Sequence, residues 1–236
     1  MKRIYIILAF VVLLAIGVAS QAYLYYSNPM ERPAFGTGIV ASLGGLRSVA
    51  SEVVWFRAEK MQREGRYGEL VQLSSILTFL EPHVPDVWLY AAWNLSYNVS
   101  VRMNDPSAKW SWIHSGIKLL RDQGLKWNPG DPDICYDLAH MFELKVGHSK
   151  GEDAQYYRKA WHSIVCDVKE RDAWEELSMN RARMIELERK YSITDWTNPQ
   201  ASAIYWASEG LVKADKRNRR RLELLIEQAK KLYSKS

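Results

Sequence analysis

Asp137, His140 and Glu143 recur at three-residue spacing, with His148 just beyond, so carboxylates and imidazoles share one helical face here. Such spacing serves metal sites, but a diiron bundle needs Glu-x-x-His in that order on two helices, and no second copy exists. Solvated helix polarity is the plainer account. The remaining histidines (83, 114 and 162) stand apart along the chain. Glu52, Glu69, Glu175 and Glu176 are the carboxylates a sugar-cleaving enzyme would draw on. That chemistry requires two of them to face one cleft, and sequence shows no such convergence. A phosphate-binding Gly-x-x-x-x-Gly-Lys loop, a Gly-x-Ser-x-Gly elbow and a His-Glu-x-x-His motif are all missing. The expectation is therefore no catalytic residue, no cofactor, no metal and no small-molecule substrate.

Three further features carry chemistry of a weaker kind. Cys135 and Cys166 are too far apart in sequence to chelate, and no Cys-x-x-Cys-His haem attachment occurs. If the helices that carry them fold back near residues 149–150, the two lie at similar height. A disulfide then competes with two buried thiols. Asn94-Leu95-Ser96 and Asn98-Val99-Ser100 match glycosylation acceptors inside a helix expected to be buried. The run Lys216, Arg217, Arg219, Arg220 and Arg221 is a candidate contact for an anionic surface or an acidic partner. Its competing account is the solvated cap of a last helix, with Leu222, Leu225 and Ile226 packing beneath. From Val212 onward nine Lys/Arg oppose three acidic residues, so the whole chain's net +5 resides in this terminal segment. The basic balance does not describe a nucleic-acid-binding domain.

The elements that position these residues begin with an uncharged run, Ile4 to Tyr26, behind Lys2 and Arg3. At about 1.5 Å per residue it matches a hydrocarbon core of roughly 30 Å. A cleaved signal peptide is the alternative, with small residues around Val18–Ala22. Tyr23, Tyr25 and Tyr26 suit the membrane–water boundary and favour a retained anchor. The basic N-terminus stays inside, and the remainder lies outside the cytoplasm.

The expected organisation is an anchor at 1–26, a Pro/Gly linker at 27–42 and an α-helical domain at 43–236. Apolar residues step by three and four without strand patterns. Helices are predicted over about 43–64, 67–80, 85–102, 108–127, 131–146, 153–168, 172–191, 199–213 and 215–233. Val87, Trp88, Ala91 and Leu95 form one apolar face of the third; Tyr90, Trp93, Tyr97 and Val101 form a second. Two apolar faces predict a helix packed between neighbours. Aromatic residues at such spacing are read as packing, not as a binding surface.

Ile117–Gly147, with its Asn128-Pro129-Gly130-Asp131-Pro132 junction, resembles the helical hairpins of the tetratricopeptide repeat, as does Ala58–Pro85. Pro82 and Pro129 are wider apart than one regular repeat, so the resemblance is to two or three degenerate hairpins. Leu43–Trp88 and Asp195–Leu211 are similar to a bacterial family of single-anchor, repeat-like proteins. That likeness implies a fold and a topology but no activity. Together these features predict an all-α chain of antiparallel hairpins stacked as a short solenoid behind one transmembrane helix. The expected role is a scaffold or accessory subunit that binds other proteins at the bacterial inner membrane. A structural subunit of a larger membrane complex and a cell-wall-active enzyme on a helical superhelix are the alternatives.

Overall fold

The computed structural model describes residues 37–148 and 150–235. By internal contact the chain divides after Phe56 into two compact units. Of the first, residues 37–56 are described, and they belong to helix α1 (Thr37–Arg63). This helix begins inside the stretch predicted as linker. Gly38 sits in its first turn, where a glycine costs about 1 kcal/mol and does not end a helix. The expected anchor, residues 4–26, lies outside the described residues. Among the described residues no helix is long and apolar enough to cross a membrane.

The second unit is built of helices, with no strand among its described residues, and its helix starts follow local chemistry. Helix α2 (Tyr67–Leu80) closes just ahead of Pro82. Helices α3 (Pro85–Trp93), α4 (Pro106–Lys118), α5 (Pro132–His140) and α8 (Pro199–Gly210) each open on proline, where the missing N–H is lost without penalty. Asp105 caps α4 by accepting from the Ala108 N–H at 3.0 Å, and Asp131 caps α5 by accepting from Asp133 and Ile134. Helix α6 (Glu152–Glu170) follows, then α7 (Arg181–Tyr191) and α9 (Lys216–Tyr233), the last capped by Asp215.

Helices α3, α4 and α5 share an unusual ending. Each runs directly into a π-helical stretch: Asn94–Val99, Leu119–Gly124 and Met141–His148, respectively. A 3₁₀ turn, Ser100–Arg102, completes the first, and an α turn, Leu125–Trp127, completes the second. Wide turns of this kind gather at functional sites.

The predicted helix over 172–191 is broken. A 3₁₀ turn (Trp174–Leu177) is followed by Ser178 at φ 52°, and Asn180 restarts the chain as α7 by accepting from the Arg183 N–H. Trp174, Leu177 and Met179 are all buried. On an unbroken helix Met179 would lie about 200° around from Leu177 and face away from the core. The break lets both bury.

Helix α3 lies against α5 and α5 against α8, while α4 lies against α6; α2 packs on α3, and α9 on α8 and α5. Helix α8 is the hub: every residue except Glu209 is buried. Ala201, Ser202, Ala203, Ala207, Ser208 and Gly210 keep its surface low enough for neighbours to approach on all sides. At Gly210 even one added carbon would stand 2.8 Å from the Cys135 Cβ of α5. Tyr205 anchors the hub. Its ring meets Trp206 and Trp196 edge-on, and its hydroxyl accepts the Asn180 N–H at 2.8 Å, which ties the broken segment to the core.

Candidate functional site

The two ends of α3 and α5 enclose a cleft of about 180 Å³ lined by Trp93, Tyr97, Tyr136, Asp137, His140 and Met141. Trp93 is the last residue of α3, and Tyr97 lies in the π-helical stretch beyond it. Their rings stack at 4.1 Å with planes 21° apart. Tyr136 and His140, one turn apart on α5, meet edge to face at 5.9 Å. Buried Met141 supplies a polarizable contact among the rings.

Two of the chain's own cations lie on the aromatic wall. The Arg221 guanidinium of α9 covers the Tyr136 ring at 3.9 Å and donates to Asp133 at 3.0 Å and to Asn218 at 3.2 Å. The Lys145 ammonium stands 4.8 Å from the centre of Tyr97. Burial lowers the Lys145 pKa from its ordinary value. Asp137 differs from Asp133: among the described residues no group donates a hydrogen bond to its carboxylate. Burial, with help from the neighbouring Asp133 charge and against the pull of Arg221, pushes its pKa up to about 6. His140 is held below the usual imidazole range by burial and by Arg221, so it is neutral at physiological pH. Tyr97 is raised by burial and by the charges of Asp137 and Glu143. The arrangement is an aromatic slot with an unbonded carboxylate and a neutral imidazole.

The predicted acidic and imidazole set divides. Asp137 and His140 line this cleft, and the half-buried Glu143 has its pKa raised by burial. His148 lines a separate polar cavity of about 620 Å³ with Arg158, His162 and Gln200. Among the described residues no three His, Cys, Asp or Glu side chains converge to hold a metal ion.

The basic run also splits. Lys216, Arg217, Arg219 and Arg220 are exposed, whereas Arg221 is turned onto Tyr136 and Asp133. Cys135 is buried, and burial raises its thiol to about 12. Cys166 on α6 has its sulfur 3.6 Å from His162 Nδ1. Both are free cysteines. Glu69 is ion-paired with Arg66, and Glu176 with Arg171 at 2.6 Å; Glu52 and Glu175 are exposed. Asn94 is fully buried, donating to the Tyr90 carbonyl, and Asn98 donates to Asn94. The sequons are therefore parts of helix packing.

The aromatic half of the cleft is what sequence reasoning assigned to packing. Val87, Trp88 and Ala91 are indeed buried, but Trp93 is 47% exposed and Val101 61% exposed. The second apolar face of this helix looks outward in part. Periodicity marks both faces equally and holds no record of which one a neighbour covers. The Trp93–Tyr97 spacing of four was the available signal.

No protein-family profile, curated protein or solved structure matches this chain.

Proposed function

We propose that this protein is a non-catalytic docking subunit, tethered to a bacterial inner membrane by residues 4–26, with its helical body outside the cytoplasm. On this reading α3 with α4, α5 with α6, and α8 with α9 are degenerate tetratricopeptide-like hairpins. The exposed parts of α3 and α5 are then the surface a partner segment crosses. The contacts of α3 with α5 and of α4 with α6 support the first two of these pairings, because alternate helices touch in stacked hairpins.

One observation carries the functional part. Trp93 offers nearly half its surface to solvent at the mouth of a slot whose carboxylate has no donor among the described residues. Exposed aromatic area beside an uncompensated polar group is what a partner covers at the centre of an interface. A structural aromatic would be enclosed, as Tyr205 is.

The test is photocrosslinking in native membranes with a photoreactive residue replacing Trp93 in the full chain. A discrete adduct is expected, and it should be lost when Asp137→Asn is added. The same probe at Tyr156, exposed on α6, should give none. Identical patterns from both positions, or no adduct at Trp93, overturn the proposal.

A further inference from the structure

We infer that the group entering the cleft is the ammonium end of a lysine side chain, its charge on the Asp137 carboxylate and its methylenes against Trp93, Tyr97 and Tyr136. The inference rests on the docking role and names the chemistry the docked partner must present. Three observations lead to it.

The first is volume. A space of about 180 Å³ holds roughly six waters. This is enough for the end of one long side chain and too little for a helix or an aromatic pair.

The second is the wall. Both of its tyrosines already carry a cation of this chain, Arg221 on Tyr136 and Lys145 beside Tyr97. The rings are thus placed for cation contact, and Trp93, the strongest partner for such contact, is partly open to solvent.

The third is the carboxylate. Arg221 is bonded to Asp133, so its donors are directed to that residue and not to Asp137. A half-buried carboxylate without donors costs free energy that three ammonium N–H groups recover. Neutral His140 beside it can accept one of those protons. A quaternary ammonium brings charge but no donor, which is why a primary amine fits better.

The groups that face Asp137 set the pH dependence. They are Asp133 on α5 and Arg221 on α9, with His140 and Tyr97 lining the same cleft; Glu143 and Lys145 of the π-helical extension act on Tyr97. Of these, Asp133 and Arg221 neutralise each other, and His140 is uncharged at pH 7. With the carboxylate titrating at about 6, its ionised fraction falls about tenfold between pH 7 and pH 5.

The experiment uses the full chain in nonionic detergent, with n-butylammonium as the lysine mimic. Binding is followed by the NMR signals of the His140 ring, assigned with His140→Gln. Saturable binding is expected, weakened at least tenfold by Asp137→Asn, severalfold by Trp93→Ala, and about tenfold on going from pH 7 to pH 5. Tetramethylammonium should bind more weakly, and 1-butanol not measurably. Binding of 1-butanol or tetramethylammonium as tight as that of butylammonium overturns the inference, as does indifference to Asp137→Asn. If butylammonium fails to bind while the Trp93 adduct persists, docking stands and the lysine is wrong. If it binds but no Trp93 adduct forms, the partner lysine is withdrawn.

Discussion

The hub helix α8 and the cleft between α3 and α5 are both rich in aromatic residues, yet they settle their polar groups in opposite ways. At the hub, Tyr205 is buried on all sides and its hydroxyl is matched to the Asn180 amide. At the cleft, Trp93 and Tyr97 stack in partial exposure above a carboxylate that lacks a donor. The Tyr205 ring and hydroxyl are fully matched as folded. The cleft is the less settled of the two, and on the docking proposal the difference separates a residue that holds the fold from one that meets a partner.

Truncating an aromatic residue in each region gives the sharpest contrast. Tyr205→Ala should cost about 3–5 kcal/mol, because a buried ring is replaced by a cavity and the Asn180 N–H is orphaned. Trp93→Ala should cost less than about 1 kcal/mol, since half the ring is already in water. Urea unfolding of both variants checks this; equal losses would erase the distinction between hub and cleft.

The next effect has the opposite sign. The folded-state pKa of Asp137 is raised from 3.8 to about 6, so the native protein binds the extra proton more readily than the unfolded chain. The stability this provides is present in acid and is lost as pH rises through about 6. Asp137→Asn, a neutral near-isostere, should therefore stabilise the protein by up to about 3 kcal/mol at pH 7.5 and hardly at all near pH 4. Unfolding curves at the two pH values decide it. A destabilised variant at pH 7.5 would mean that Asp137 is a structural residue and that the cleft is no less settled than the hub.

The smallest expected effect probes an imperfection of the hub. The hydroxyl of Ser202 is buried with no hydrogen-bond partner among the described residues. Ser202→Ala should raise stability by about 1 kcal/mol in the same denaturation assay. A loss of similar size would show that this hydroxyl is paired within the core.

Much of the fold was legible in punctuation. The Gly65 stop, Pro82, the Asp-Pro start at 131–132 and the Asn-Pro start at 198–199 mark helix ends because they act through local backbone geometry, whereas the prediction falls two residues late at the Asp-Pro start of 105–106. The break at 178–180 was not legible. Charged residues with helical propensity flank it on both sides, and the burial of Met179 beside Leu177, with the Asn180 amide held by Tyr205, enforces it. The candidate site was half visible: Asp137 and His140 stood out by type and spacing, while Trp93 and Tyr97 looked like core. Nothing in their own neighbourhood in sequence distinguishes a covered aromatic face from an open one.

What the chain's order of residues determined alone was helix content, most helix limits and the concentration of positive charge at its end, because each depends on interactions within a few residues. Tertiary structure decided the rest. It turned Arg221 away from its exposed neighbours toward Asp133, enclosed α8 on every side, and left Asp137 without a donor. Those outcomes depend on residues dozens of positions apart meeting in space, where burial and pairing are shared among several helices and no single segment encodes them.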